Sequence, residues 1–417
     1  MSKKVTMSNR EVIVSISLNG HDIRIGKLWF QVKNNKESAS FEYDKAWLNH
    51  TEKFALEPAL NLTDDAFHTG QGTNLFGAIG DSAPDRWGRV LMRRAETSQA
   101  KKQNRTPKTL FEIDYLLGVN DEARQGALRF SISPNENIFL SSNQKNSIPP
   151  LIDLPKLLSA TEKFFADNES AEDLKLLLAP GSSLGGARPK ASIRDKNSRL
   201  AIAKFPKKDD DFNVVVWEAV TLTLAKKAGI NIPSYRLEKI CEKPVLIINR
   251  FDRDNSGNRI PFLSAMSMLG ARDNEQHSYL EIADALAQHG AFPEEDMQEL
   301  WRRIVFTVMV ANTDDHLRNH GFLYKQNGWR LSPAYDINPT PIEISQRILT
   351  TSIDLYDNAA SLETALRIAE EFRVNEKKAL SIIKEVSLAV KQWQTVASQF
   401  GLSKQECDRM SSAFAYE

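Results

Sequence analysis

Asn312-Thr313-Asp314-Asp315-His316-Leu317-Arg318-Asn319 is the stretch on which the fold turns. It follows Leu300–Val310, where Trp301, Ile304, Val305, Val308 and Met309 recur at helical spacing, so a buried helix delivers a run of polar side chains. Asp314 and Asn319 stand in the order D-x-x-x-x-N. Downstream, Phe322-Leu323-Tyr324, Gln326-Asn327-Gly328 and Trp329-Arg330-Leu331 read as strand, turn and strand. That hairpin returns the chain to Pro333-Ala334-Tyr335-Asp336-Ile337. Carboxylates and a carboxamide are hard oxygen donors of the kind magnesium accepts, with waters and phosphates filling the rest of its shell. A rival reading takes His316 and His320, one helical turn apart, with Asp314 and Asp315 as a transition-metal site. Against it, Gly321 closes the segment at once and no third ligand cluster stands elsewhere.

Four elements precede this stretch. Gly181-Ser182-Ser183-Leu184-Gly185-Gly186-Ala187-Arg188-Pro189-Lys190 is rich in small residues, which let backbone N–H groups approach phosphate oxygens. Lys204 sits in the apolar strand Leu200–Phe205, where an unpaired ammonium would be expensive to bury. Asp211 or Asn213 is placed to cap a helix that runs to about Lys227 and stops at Gly229, with Trp217, Val220, Leu224 and Ala228 as its buried stripe and Glu218 beside it. Val245–Ile248 reads as a buried strand that leaves through Asn249-Arg250-Phe251-Asp252-Arg253. Each has an ordinary alternative: a surface loop, a solvent-facing lysine, an edge strand ending in a charged turn. In this order they are similar to the parts of a protein kinase. There a lysine holds the α- and β-phosphates, a glutamate on the next helix orients it, and the linker between lobes meets adenine. The aspartate of the catalytic loop takes the hydroxyl proton, and an asparagine and a second aspartate bind magnesium. Asp314, Asn319 and Asp336 fall in those last three places.

The remainder of the chain sets bounds. The sequence has 417 residues, enough for two or three domains or lobes, with 41% hydrophobic and 26% charged residues. Lys+Arg and Asp+Glu both number 54, so there is no bulk basic surplus of the kind a nucleic-acid-wrapping protein shows. Cys241 and Cys407 are too far apart for a CxxC motif, and a reducing compartment is the simplest expectation. MSKKVTMSNR has no apolar signal core, and no segment approaches the roughly 20 apolar residues of a membrane span; a cytoplasmic protein that does not engage membrane is expected. Residues 11–32 alternate about Asn19-Gly20 as a hairpin, and Phe41 and Tyr43 suggest another strand. Ser82-Ala83-Pro84-Asp85 reads as the start of a helix carrying Trp87, Val90, Leu91 and Arg94 on one face. The Ser, Asn, Gln and Pro of residues 131–150 form the best domain boundary.

Ser183–Lys190, Arg250-Phe251-Asp252-Arg253, Thr313–Asn319 and Tyr335-Asp336 together resemble the signatures of HipA serine/threonine kinases, toxins of bacterial toxin–antitoxin modules. Asp81-Ser82-Ala83-Pro84-Asp85-Arg86-Trp87-Gly88 resembles the accessory domain at the start of full-length members, so the likeness covers nearly the whole chain. The resemblance implies an α+β, two-lobed protein-kinase-like fold. Its divisions are an N-terminal β-rich accessory subdomain at 1–134, a nucleotide lobe at 147–253 and a mainly helical lobe at 254–417. It implies ATP and Mg2+ as cofactors and Asp314 as the catalytic aspartate, with Asn319 and Asp336 on the metal. Gly185, Gly186, Ala187, Arg188, Pro189, Lys190, Lys204, Asn249, Arg250, Phe251, His316 and Tyr335 would line the nucleotide. Ser183, or its neighbour Ser182, would be the autophosphorylated serine that silences the enzyme. Family members phosphorylate a protein, glutamyl-tRNA synthetase in the best-known case. A small helix-turn-helix antitoxin of the HipB type neutralises them, and operator DNA is contacted mainly through that complex. A small-molecule or lipid kinase of the same superfamily, or a non-catalytic corepressor, is the competing expectation. Asn249 stands where a glutamate is often found, and Arg188-Pro189 fills the loop differently from some members.

Overall fold

The computed structural model describes residues 8–33, 36–132, 139–140, 148–149, 151–178, 186 and 188–416. Ser182, Ser183, Gly185 and Ala187, expected at the phosphate loop, lie outside the described residues. The chain divides into two compact units, Met1–Lys208 with Asp252–Leu263, and Asp209–Phe251 with Ser264–Glu417.

The first unit opens with β1 (Ser8–Leu18) and β2 (His21–Lys33), paired antiparallel from Leu18↔His21 outward. Asn19 and Gly20 both have positive φ, 51° and 82°, as a two-residue turn matched to strand twist requires. β3 (Lys36–Tyr43), β4 (Phe67–His68) and β5 (Leu128–Ser131) complete a sheet in the order β4-β3-β2-β1-β5. Gly26 lets β3 approach β2, because a Cβ there would lie 2.3 Å from the Glu42 carbonyl. The helix α1 (Arg86–Lys102) starts where Asp85 accepts the Gly88 N–H at 2.8 Å. Trp87 stacks on Phe165 of α2 (Leu154–Phe165), with centroids 5.7 Å apart, and α3 (Ala171–Leu178) packs alongside. The antiparallel pair β6 (Lys190–Arg194) and β7 (Leu200–Lys204) follows.

Asp252–Leu263 is clamped to the rest of this unit by buried charge. The Gly126 N–H donates to Asp252 Oδ2 at 2.8 Å, and Arg253 donates to that same oxygen and to the carbonyls of Glu122, Arg124 and Gly126. Arg259 and Arg129 converge on Asp121, at 3.2 and 2.6 Å. Arg124 is fully buried and donates to the carbonyls of Ser82, Leu116 and Val119; burial pushes its guanidinium down to about 10.

In the second unit, α4 (Val214–Lys227) packs on the hairpin of β8 (Tyr235–Ile240) and β9 (Lys243–Asn249) through Val215, Ala219, Leu222, Leu246 and Ile248. Asn213 occupies the expected cap position, yet its side chain makes no capping bond. Gly229 stops the helix as expected: at φ 78°, its N–H reaches Lys226 O while the Ile230 N–H reaches Ala225 O. α4 is buried on most of its surface, because Trp217 on its other side meets Trp393 and Phe414. The helical part contains α5 (Tyr279–His289), α6 (Pro293–Met309) and α7 (Glu376–Val390), with β10 (Gly321–Lys325) and β11 (Gly328–Leu331) forming the expected hairpin. Among the described residues, no helix is long and apolar enough to cross a membrane.

Candidate active site

α6 begins earlier than its apolar stripe suggests. Pro293 supplies its first turn, and Glu294, Glu295 and Asp296 complement the positive end of its dipole. It ends in a left-handed residue that is not glycine. Ala311 has φ 49°, and the Asn312 N–H bonds back to Thr307 O at 3.0 Å. An alanine held there costs about 1 kcal/mol relative to relaxed backbone. The Ala311 carbonyl, turned outward, accepts the N–H groups of both Thr313 (2.9 Å) and Thr340 (3.1 Å), while Asn312 Oδ1 accepts the Asn338 N–H at 3.1 Å. The loop after α6 and the loop after β11 are therefore tied at their roots.

Between those roots, the two adjacent aspartates face opposite ways. Asp315 is buried at 5% exposure and accepts the Tyr279 hydroxyl from α5, with His320 Nε2 lying 3.2 Å from its Oδ2. Burial alone would raise this carboxyl, but His320 and the Tyr279 hydroxyl hold it below the usual carboxylate range. Burial and the neighbouring Asp315 charge push the Tyr279 hydroxyl far up. The Asp315 carbonyl takes the Thr351 hydroxyl and the Thr313 carbonyl takes the Thr350 hydroxyl, at 2.6 and 2.9 Å. Asp315 is thus the internal anchor and Asp314 the exposed group. The transition-metal reading fails on this geometry, because His320 is turned inward to Asp315. Among the described residues no group of three or more His, Cys, Asp or Glu could hold a metal ion.

Asp314 is hydrogen-bonded to Asn319 and senses the charge of Asp336. Its carbonyl accepts the Asn319 side-chain N–H at 3.1 Å and the His316 N–H at 3.0 Å. Partial burial raises its carboxyl; His316 works against this, while the charges of Asp336 and Asp315 add to it. Asp336 is itself left-handed, with φ 58°, and the Asn338 amide lies 3.5 Å from its Oδ1. Tyr335 donates its hydroxyl to Arg318 O at 2.7 Å and sets its ring 5.4 Å from that of Phe251, so two residues expected along the nucleotide meet. Arg250 is buried, and Asn249 ends β9 with its N–H on Ser234 O. Glu218 is 3% exposed on α4, and one turn later Thr221 donates to the Ile337 carbonyl, immediately after Asp336.

The donor set fits magnesium. Asn319 spends its side-chain N–H on Asp314 O, leaving its amide oxygen as an acceptor, and Asp336 supplies a carboxylate. Asn338 Oδ1 nearby is buried without a hydrogen-bond partner. Lys204, Gly186, Arg188, Pro189 and Lys190 belong to the first unit. Gly186 has φ 92°, and the Pro189 carbonyl accepts the Phe205 N–H at 3.0 Å. Tyr279, Asn312, Thr221 and Asn338 escaped the sequence reading; each acts through a distant partner, and only the i, i+3 spacing of Glu218 and Thr221 gave a local signal.

The family described as the HipA-like C-terminal domain matches residues 182–393, and the HipA N-terminal domain matches residues 15–113. A presumed kinase of Haemophilus influenzae is 32% identical over 143 residues; the match spans 30% of this chain and 41% of that protein. The presumed kinase Y4mE of Sinorhizobium fredii is 25% identical over 72% of both chains. The serine/threonine-protein kinase toxin HipA of Shewanella oneidensis is 21% identical over 47% of this chain and 48% of its own. A solved Shewanella oneidensis complex of HipA, HipB and operator DNA contains a chain that superposes with TM-score 0.65 at 16% identity. That match covers 96% of this chain and 95% of that one, which establishes a shared fold.

Proposed function

Since the chain belongs to the HipA family, we propose that it is an ATP-dependent serine/threonine protein kinase and the toxin of a toxin–antitoxin pair. The observation that carries this is the hydrogen bond between Asn319 and Asp314 in a loop that shares one root, Ala311 O, with the loop that carries Asp336. Asp314 is the exposed carboxylate and receives the proton of a substrate serine hydroxyl as the serine oxygen attacks the γ-phosphorus, the bond from that phosphorus to the β,γ-bridging oxygen breaks, and ADP leaves. Its raised carboxyl is suited to holding that proton. Asn319 and Asp336 hold magnesium, which when bound neutralises charge on the β- and γ-phosphate oxygens. Phe251 and Tyr335 flank the nucleotide, Lys204 takes its α- and β-phosphates, and Glu218 orients that lysine. Gly185–Lys190 covers the phosphates, and phosphorylation of Ser183 would add about two negative charges among them and switch the enzyme off. The partner is a small HipB-like helix-turn-helix antitoxin that brings operator DNA, and the substrate is a translation protein of the aminoacyl-tRNA synthetase kind.

Incubation of the purified chain with γ-labelled ATP, Mg2+ and cell extract tests this. Label should appear on the Ser183 peptide and on one protein, and should vanish in Asp314→Ala and Asp336→Ala. Turnover of a small alcohol without protein labelling would favour a small-molecule kinase. Growth arrest that persists in Asp314→Ala would favour a non-catalytic corepressor.

A further inference from the structure

Lys190 opens β6, the strand that leaves the glycine-rich segment, and its register partner on β7 is Lys204. Residues directly opposite on an antiparallel pair share a face, with Cβ atoms about 5 Å apart, and like charges so placed repel. Lys190 is only 5% exposed, a position where an ammonium needs a partner. Asp85, from the motif that starts α1, provides it: its Oδ2 lies 3.0 Å from Lys190 Nζ, and both side chains are buried. The other carboxylate oxygen accepts the Gly88 N–H at 2.8 Å, which fixes the acid in place. Two residues on, Trp87 Nε1 donates to the Lys190 carbonyl at 3.0 Å. The start of α1 therefore holds Lys190 by backbone and by side chain together.

We propose that Asp85 is a positioning residue for the nucleotide site. It neutralises Lys190, so that the phosphates meet the charge of Lys204 on a ladder free of like-charge repulsion, and it fixes the root of the glycine-rich segment. This rests on the kinase reading above. A purely structural role would need only a well-packed contact, since an apolar pair of similar volume commonly stabilises as well as a buried ion pair. Here the acid is also placed to set the charge next to a phosphate-binding lysine.

The test is calorimetric titration of the full chain with the non-hydrolysable analogue AMP-PNP and Mg2+, alongside thermal unfolding without nucleotide. Asp85→Asn keeps the cap on α1, because asparagine serves that position as well as aspartate. It should raise the AMP-PNP Kd at least tenfold. Asp85→Glu, which keeps the charge beside Lys190 and shifts it by one methylene, should hold the Kd within threefold of wild type. An Asp85→Asn Kd within twofold of wild type, whatever its melting temperature, overturns the proposal, as does an Asp85→Glu chain that binds no better than Asp85→Asn. Should Asp85→Asn not fold, Asp85→Ser, which also serves as a helix cap and removes the charge, is held to the same tenfold criterion. A wild-type chain that binds no AMP-PNP removes the kinase reading itself, an outcome distinct from unchanged binding by the variants.

Discussion

The Tyr279 hydroxyl donates a hydrogen bond to Asp315 Oδ2, and both side chains are buried. The bond joins α5 to the loop that presents Asp314 one residue earlier. Tyr279→Phe removes the donor and leaves the ring, so the buried carboxylate loses one of its supports. A loss of about 2 kcal/mol is expected, the scale of a hydrogen bond to a charged group. Urea unfolding should show a lower midpoint with an unchanged slope, and phosphoryl transfer should slow although Asp314 is untouched. An unaltered midpoint would show that this bond does not support the loop.

The second prediction concerns charge. Asp336 is among the causes that raise the Asp314 carboxyl, after burial, so Asp336→Asn in metal-free protein should lower the Asp314 titration midpoint towards the ordinary aspartate value. Carboxyl-carbon NMR of labelled protein would follow it. A midpoint that stays put would mean that the two carboxylates do not sense each other.

Asp252→Asn tests the clamp in the first unit. The change weakens the acceptor shared by the Gly126 N–H and Arg253 while leaving the arginine buried. Disrupting a buried pair from one side costs about 3 kcal/mol, or roughly 6–12 °C in melting temperature for a unit of this size. Gly126→Ala should act in the same direction, because Gly126 has φ 70° and its Cβ would lie 3.2 Å from Phe262. Calorimetric scans that leave the first transition unmoved in both variants would remove the clamp from the account of stability.

Glu57 gives a pH signature. It is 5% exposed, accepts the Ala78 N–H, and burial pushes its carboxyl from 4.5 up to about 7. The folded chain then holds this proton more tightly than the unfolded one. The associated stability is complete below about pH 4.5 and is lost as pH rises through about 7, about 3 kcal/mol across the window. Glu57→Gln keeps the acceptor and removes the titration. The drop in unfolding free energy between pH 5 and pH 8 should shrink accordingly, and an equally steep profile in the variant would place the titration elsewhere.

Much of the architecture could be read from local chemistry. Asn19-Gly20 announced its turn because few other pairs tolerate two positive φ values, and Asp85 announced the start of α1 because its carboxylate meets a helix N–H three residues away. The order of motifs from the glycine-rich segment to Asp336 pointed to the α+β kinase-like fold that the superposition bears out. What stayed hidden depends on partners far along the chain. Lys190 finds Asp85 across 105 residues, and nothing in either residue announces the other. Alanine gives no sign of a left-handed conformation, so the turn at Ala311 was invisible. The stripe expected on α4 was too narrow, because periodicity shows one packed face and cannot show that Trp217 is covered from the opposite side.

The doubly used carbonyl of Ala311 has a dynamic consequence. Releasing the segment that carries Asp336 exposes the amides of Asn338 and Thr340, and the bond from Thr313 to that same oxygen marks the neighbouring loop as part of one opening unit. These amide protons should exchange with solvent deuterium at a common rate. The pair of acidic loops would then breathe together, keeping their mutual spacing until both let go.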